Sequence, residues 1–188
     1  MAGFTIPTLP LRIAQRVASS VQDAVAERTA PPVVTAVRRD RLTRLPSRAL
    51  AEIHERVIAA ERVGIEGLIV IVADGGAAIV AADGRSSARE VCVHGIADPG
   101  PLAASLTRYG FRPEVTRVTL HSGAPAASGD PVAVGYTADA GTVAVLAGRL
   151  VRGGVLVVTS GEAAVDALRQ QDDVRSSARA GLAVIERI

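Results

Sequence analysis

Lysine and tryptophan are missing from the 188 residues, and the only benzene-type rings are Phe4, Tyr109, Phe111 and Tyr136. So few flat side chains argue against a surface that stacks successive bases of single-stranded nucleic acid. A core so poor in rings must be built from Val, Leu, Ile and Ala, which suits helices packed on a buried sheet. Cys92 is the only cysteine, so there is no internal disulfide and no thiolate metal site. It falls in an apolar strand pattern, where a buried, inert thiol is the ordinary reading. No apolar run approaches the ~20 residues that cross a bilayer as a helix. The opening MAGFTIPTLPLR has prolines where a secretory signal needs an apolar run, and no small-residue cleavage pattern follows. A cytoplasmic protein is expected, with neither nucleic acid nor membrane as partner.

What is present points to one domain, since the length allows a sizeable core but not comfortably two. All 21 basic residues are arginine, against 19 acids, for a formal charge of +2. Arginine and alanine without lysine read as a high-GC codon bias and say little about partners. Arg38, Arg39 and Arg41 form the one short cluster, which a solvated loop explains.

Residues 11–28 put Ile13, Val17, Val21 and Val25 on one stripe of a helix that could pack on its own domain or on a partner chain. Residues 29–46, TAPPVVTAVRRDRLTRLP, read as an irregular linker. Residues 1–46 are thus an N-terminal helix and linker, and 47–188 the main domain. A second helix starts at Ser47, with Leu50, Ile53, Val57 and Ile58 on one face, and ends near Gly64. LIVIVA (68–73) is a continuous β-branched run, the mark of a strand covered on both faces. Helical AAIVAA follows, then strand EVCVH, helix PLAASLTRYG, strands VTRVTLH and PVAVGY, helix GTVAVLAGRLV, strand GVLVV, helix EAAVDALRQQ and a final strand GLAVIERI. This alternation predicts an α/β fold: a mostly parallel, doubly wound sheet with helices on both faces.

Ligands of such sheets bind outside the carboxyl ends of the strands. The first exit is Asp74-Gly75-Gly76, where glycines admit a ligand to the backbone and the helix start favours an anion, or which is simply a tight turn. His94 and His121 fall at strand exits and are candidates for acid–base work, beside the plainer reading as loop caps. His54, among apolar helix neighbours, reads as a core or boundary histidine. Thr159 and Ser160 close the fifth strand; no Gly-x-Ser-x-Gly elbow surrounds Ser160, and either residue serves as a helix N-cap.

The segment GIEGLIVIVADGGAAIV (64–80) resembles the first strand, glycine loop and helix of class I S-adenosylmethionine-dependent methyltransferases, most of all the macrocin O-methyltransferase type. REVCVHGIADP resembles that family's second strand, SLTRYGFRPEVTRVTLHSG its third helix and strand, PVAVGY its fourth strand, and LVRGGVLVV its fifth. The likeness covers roughly residues 43–188. It implies a Rossmann-like fold, with a cofactor site at Asp74, Gly75, Gly76 and Asp98 if a cofactor is bound, and a role in natural-product biosynthesis.

The departures from the family are acidic ones. Gly95 stands where the family's second strand ends in an acid for the cofactor ribose. GYTADAGT keeps only Asp139 of a metal-binding stretch, and Thr159 and Ser160 replace a pair of aspartates. A magnesium site needs hard oxygen donors, usually carboxylates. The expectation is therefore a methyltransferase-fold protein with no metal and no cofactor, repurposed as a subunit or as a metal-free enzyme such as a cyclase. His94, His121 or Asp139 would be the base, acting on a pathway intermediate. The chain is expected to assemble with itself or with a related protein. The alternative is a metal-independent O-methyltransferase in which Asp74 and Asp98 replace the missing acids around S-adenosylmethionine.

Overall fold

Positions 69 and 71 of the LIVIVA run face one way and positions 70 and 72 the other, and all four are buried. A strand of this kind needs cover on both faces, and the fold supplies it. The computed structural model of the protein describes residues 25, 29–84, 90–111, 117–159, 165, 166, 168, 173–179 and 181–188. Their helices are α1 (Pro32–Arg39), α2 (Ser47–Val63), α3 (Gly75–Gly84), α4 (Gly100–Arg108) and α5 (Ala140–Arg149). The strands are β1 (Leu68–Val72), β2 (Val91–His94), β3 (Val118–Leu120), β4 (Val132–Thr137), β5 (Leu150–Val158), β6 (Val174–Arg179) and β7 (Leu182–Arg187).

The seven strands form one sheet in the order β3-β2-β1-β4-β5-β7-β6. The first five run parallel, and β7 lies antiparallel between β5 and β6. Ile69, Ile71, Val91, Val93, Val134 and Tyr136 share one core with α1 to α4. Val70, Val72, Leu156 and Val158 share the other with Val143 and Leu146 of α5 and with Val165 and Leu168. The described residues thus form a single α/β domain with a mostly parallel, doubly wound sheet. Helix α3, GGAAIVAADG, is buried from Gly76 through Ala82, because it lies under α1 and α2 as well as on the sheet. Among the described residues no helix is long and apolar enough to cross a membrane.

Three elements differ from the sequence reading. Residues 29–46, read as an irregular linker, contain α1. Pro32 sits in its first turn, where a missing N–H costs nothing, and Val33, Val34 and Val37 are buried against the core. Strand β5 starts at Leu150, inside the segment read as helix. Strand β6, VRSSAR, was not read at all. It is a sheet edge, where polar residues are normal. The helix read at 11–28 lies outside the described residues except for Val25, and the helix EAAVDALRQQ mostly so.

Candidate functional site

The chain order reverses between β1 and β4, and in open α/β sheets the crevice above that divide is the ligand site. A cleft of about 650 Å³ opens there, lined by the β1 exit (Val72–Gly75), the β4 exit (Tyr136, Ala138, Asp139) and the 41–45 loop. Its size suits a small organic ligand.

The loop after α1 is fastened over the β1 exit. The Thr43 hydroxyl donates to one Asp74 oxygen (2.8 Å), and the Ala77 N–H donates to the other (2.7 Å), so Asp74 caps α3. The Gly76 N–H donates to the Leu42 carbonyl (3.2 Å). A Cβ at Gly76 would lie 2.6 Å from the Thr43 Cβ, so glycine is required there by this chain's own loop. Burial raises the Asp74 pKa above the usual carboxylate value, and the Ala77, Thr43 and Gly76 hydrogen bonds offset part of that.

The same loop begins with a conformational cost. The Leu42 N–H bonds the Val37 carbonyl (3.0 Å) and the Arg41 N–H bonds that of Arg38 (3.1 Å), a Schellman ending for α1. Arg41 therefore occupies the left-handed position, φ 56°, where glycine is the usual residue. An arginine there costs about 1–2 kcal/mol. Ala73, the residue after β1, also has φ 56°; these are the only two non-glycine residues with positive φ among the described residues. Both line the cleft.

At the β4 exit Tyr136 is 1% exposed, and its hydroxyl lies 3.1 Å from that of Thr159. Burial pushes the phenol up to about 12, with the Asp74 charge adding to the effect and the Thr159 hydrogen bond opposing it. Thr137 bonds Thr142 and the Asp139 N–H, while the Asp139 carboxylate accepts from the Gly141 N–H (3.2 Å) and caps α5.

One strand over, at the β2 and β3 exits, a recess of about 400 Å³ is lined by His94, His121, Ser122 and Gly123. The two imidazoles stack, 4.5 Å between centroids and 12° between planes. His94 Nδ1 is buried and has no hydrogen-bond partner. Burial lowers the His94 pKa, and the neighbouring His121 charge lowers it further. The β2 tip abuts the cleft: the Ala73 N–H donates to the His94 carbonyl (2.8 Å).

Of the residues singled out from sequence, Asp74, Gly75 and Asp139 line the cleft. Gly76 lies beneath Thr43, and His94 and His121 line the recess. Asp98 lines neither; it is exposed and accepts from the Gly100 N–H (3.0 Å) ahead of α4. His54 is 8% exposed and bonds Asp83 at 3.0 Å, a structural pair between α2 and α3. The Cys92 thiol is pushed up to about 12 by burial and by the Glu90 charge, which makes it a poor nucleophile. Ser160 lies outside the described residues. Sequence reasoning missed Arg41, Thr43, Arg44 and Tyr136. The Pro-started valine stripe of α1 was the available signal that residues 41–45 belong to the domain.

The divalent cation that the family likeness implies is not matched by the residues here. Among the described residues no three His, Cys, Asp or Glu side chains come together as a ligand set. One Asp139 oxygen caps α5, and the Thr159 hydroxyl bonds Tyr136.

No family model matches the chain, and no curated protein matches it by sequence. Solved structures do match. A methyltransferase from Geobacter sulfurreducens superposes with a TM-score of 0.64 at 17% identity, over 85% of this chain and 91% of that one. The SAH-bound Podospora anserina methyltransferase PaMTH1 gives 0.57 at 15% identity, over 100% of both chains. The O-methyltransferase TomG from Streptomyces achromogenes, involved in tomaymycin synthesis and in complex with SAM, gives 0.56 at 12% identity, over 89% and 96%.

These matches correct the expectation of no cofactor. Two of the three are complexes with SAM or SAH. The expectation counted carboxylates at strand tips, whereas the glycine turn, the α3 N-terminus and the cleft at the strand divide form without them. The macrocin subtype is not singled out by the matches, but the sheet order and the superpositions agree: this chain has the class I S-adenosylmethionine-dependent methyltransferase fold.

Proposed function

We propose that the chain binds S-adenosylmethionine in the cleft between the β1 and β4 exits and serves, in the cytoplasm, as a metal-independent methyltransferase for a small molecule. The observation that carries this reading is the cleft itself: about 650 Å³, at the strand divide, beside a glycine turn and a helix start. Two structures of this fold hold that cofactor or its demethylated product.

The backbone of Ala73 to Gly75 would hold the cofactor, which supplies an electrophilic methyl group when bound. Asp139 is exposed and lines the cleft, so its carboxylate is the group placed to take the acceptor's proton. Tyr136, kept neutral by burial, shares a hydrogen bond with the Thr159 hydroxyl and does not exchange a proton near neutral pH. His94 and His121 border the cofactor side of the turn, and their recess would receive its remaining polar groups.

A second reading keeps the binding and drops the turnover: a repurposed subunit or enzyme of natural-product biosynthesis, paired with another copy or a related protein. Asp139 favours it, since one oxygen of this proposed base is already spent on the Gly141 N–H as the cap of α5.

Isothermal titration with S-adenosylmethionine and S-adenosylhomocysteine tests the proposal. Micromolar binding of both is expected, and no heat at millimolar ligand would sink it. Binding without methyl transfer to any small hydroxyl, amine or thiol acceptor, together with a co-purifying protein partner, would move the balance to the second reading.

A further inference from the structure

Arg41 stands at a position where glycine is conformationally cheaper, and its side chain lines the cleft. Three residues on, Arg44 is exposed and lines it too. Neither guanidinium has a hydrogen bond or ion pair with a described residue, whereas Arg38, the next arginine before the loop that is not on the surface pair Arg39–Asp40, donates to the Leu45 carbonyl and fastens the loop. The two acids of the cleft wall are differently placed. Asp74 and Asp139 cap α3 and α5, so helix N-termini offset part of their charge. The unspent charge of the cleft is positive.

We infer that Arg41 and Arg44 select a methyl acceptor that carries a carboxylate or a phosphate. This rests on the methyltransferase reading, and it adds the substrate class. A guanidinium offers paired N–H donors in a fork that matches both anions, and such contacts are strongest at a partly enclosed site. The strain at Arg41 is then explained: the fold retains an arginine in a glycine position because the side chain is needed where that position points.

The variants Arg41→Gly and Arg44→Gln, with Arg41→Lys as a charge-keeping control, separate this from a structural role. Loss of a structural residue would lower the melting temperature. Arg41→Gly relieves strain, so its melting temperature should equal or exceed that of the unaltered chain. Protein saturated with S-adenosylhomocysteine is titrated with benzoate, phenyl phosphate and the neutral benzamide. At least about tenfold preference for the anions is expected, lost in Arg41→Gly and Arg44→Gln and partly kept in Arg41→Lys. Benzoate ahead of phenyl phosphate assigns a carboxylate acceptor, and the reverse order a phosphate.

Equal affinity for anions and benzamide, or anion binding untouched by both variants, overturns the inference. So does a loss of S-adenosylhomocysteine affinity in Arg41→Gly with methylthioadenosine unaffected. Methylthioadenosine lacks the amino-acid carboxylate, so that pattern assigns the arginines to the cofactor. Failure of S-adenosylhomocysteine to bind the unaltered chain is a separate result, which overturns the methyltransferase reading itself and the inference with it.

Discussion

The Thr43 hydroxyl donates to an Asp74 carboxylate oxygen at 2.8 Å, across 31 residues of sequence, and fastens the cleft wall to the first turn of α3. The same hydroxyl accepts from the Leu45 N–H at 2.9 Å. Thr43→Val keeps the shape and removes both bonds. It should cost about 1–3 kcal/mol in urea unfolding, because a half-buried carboxylate loses a donor. A cost under a few tenths of a kcal/mol would mean that the loop is not held here.

Asp74 supplies a pH signature. Its folded pKa is raised above 3.8, mainly by burial. A raised carboxyl contributes stability that is fully present below the unfolded value and is lost as pH rises through the folded one. Asn at the same place still caps α3 but does not titrate. The melting temperature of the unaltered chain minus that of Asp74→Asn should therefore fall as pH rises from below 3.8 through the raised folded value. A difference that grows with pH would contradict the assignment.

Tyr136 and Tyr109 are the only tyrosines, so tyrosinate absorbance resolves them. Tyr136 should ionise near 12, and Tyr136→Phe should delete that step. The folded value lies above the ordinary one. Its contribution is thus present below pH 10 and lost as pH rises through about 12. At neutral pH Tyr136→Phe should cost about 1 kcal/mol, through the lost bond to Thr159. At pH 11 to 12 the cost should shrink.

The His94–His121 stack predicts a coupled titration. His94 has a lowered pKa, so it contributes stability above its unfolded value that is lost as pH falls through the folded one. His121→Phe removes the second of the two main causes and keeps a ring stacked on His94, which leaves burial in place. The His94 ring resonance, followed by NMR, should titrate at higher pH in the variant while staying below 6.5. No movement would place the whole effect on burial.

The strands were legible because their chemistry is local: LIVIVA, EVCVH and PVAVGY each announce a covered strand, and each is one. The likeness to methyltransferases was legible for the same reason, since it rests on scaffold positions. Asp74 and Gly75 could be placed at the cleft from the exit of the first strand, and Asp139 through the family likeness. The loop that completes the cleft could not. Thr43 matters through a partner 31 residues away, and Arg41 through a backbone angle that no composition reveals. Gly76 reads from sequence as ligand approach or as a tight turn, and its close neighbour is Thr43. A pattern shows that a glycine is required without showing what crowds it. Counting acids misled about the cofactor, because a family's carboxylates mark how a ligand is gripped and not whether a cavity exists.

The fastened 41–45 loop sets a limit on how this protein may be shortened. Cutting at Pro46 would spare every strand of the sheet and the whole of α2. It would also strip the valine-lined underside from α3, release the Asp74 oxygen from its hydroxyl donor, and leave the crevice with two walls in place of three. A trimmed chain that still refolds would then report on the sheet alone, and its silence toward any small molecule would say nothing about the intact protein.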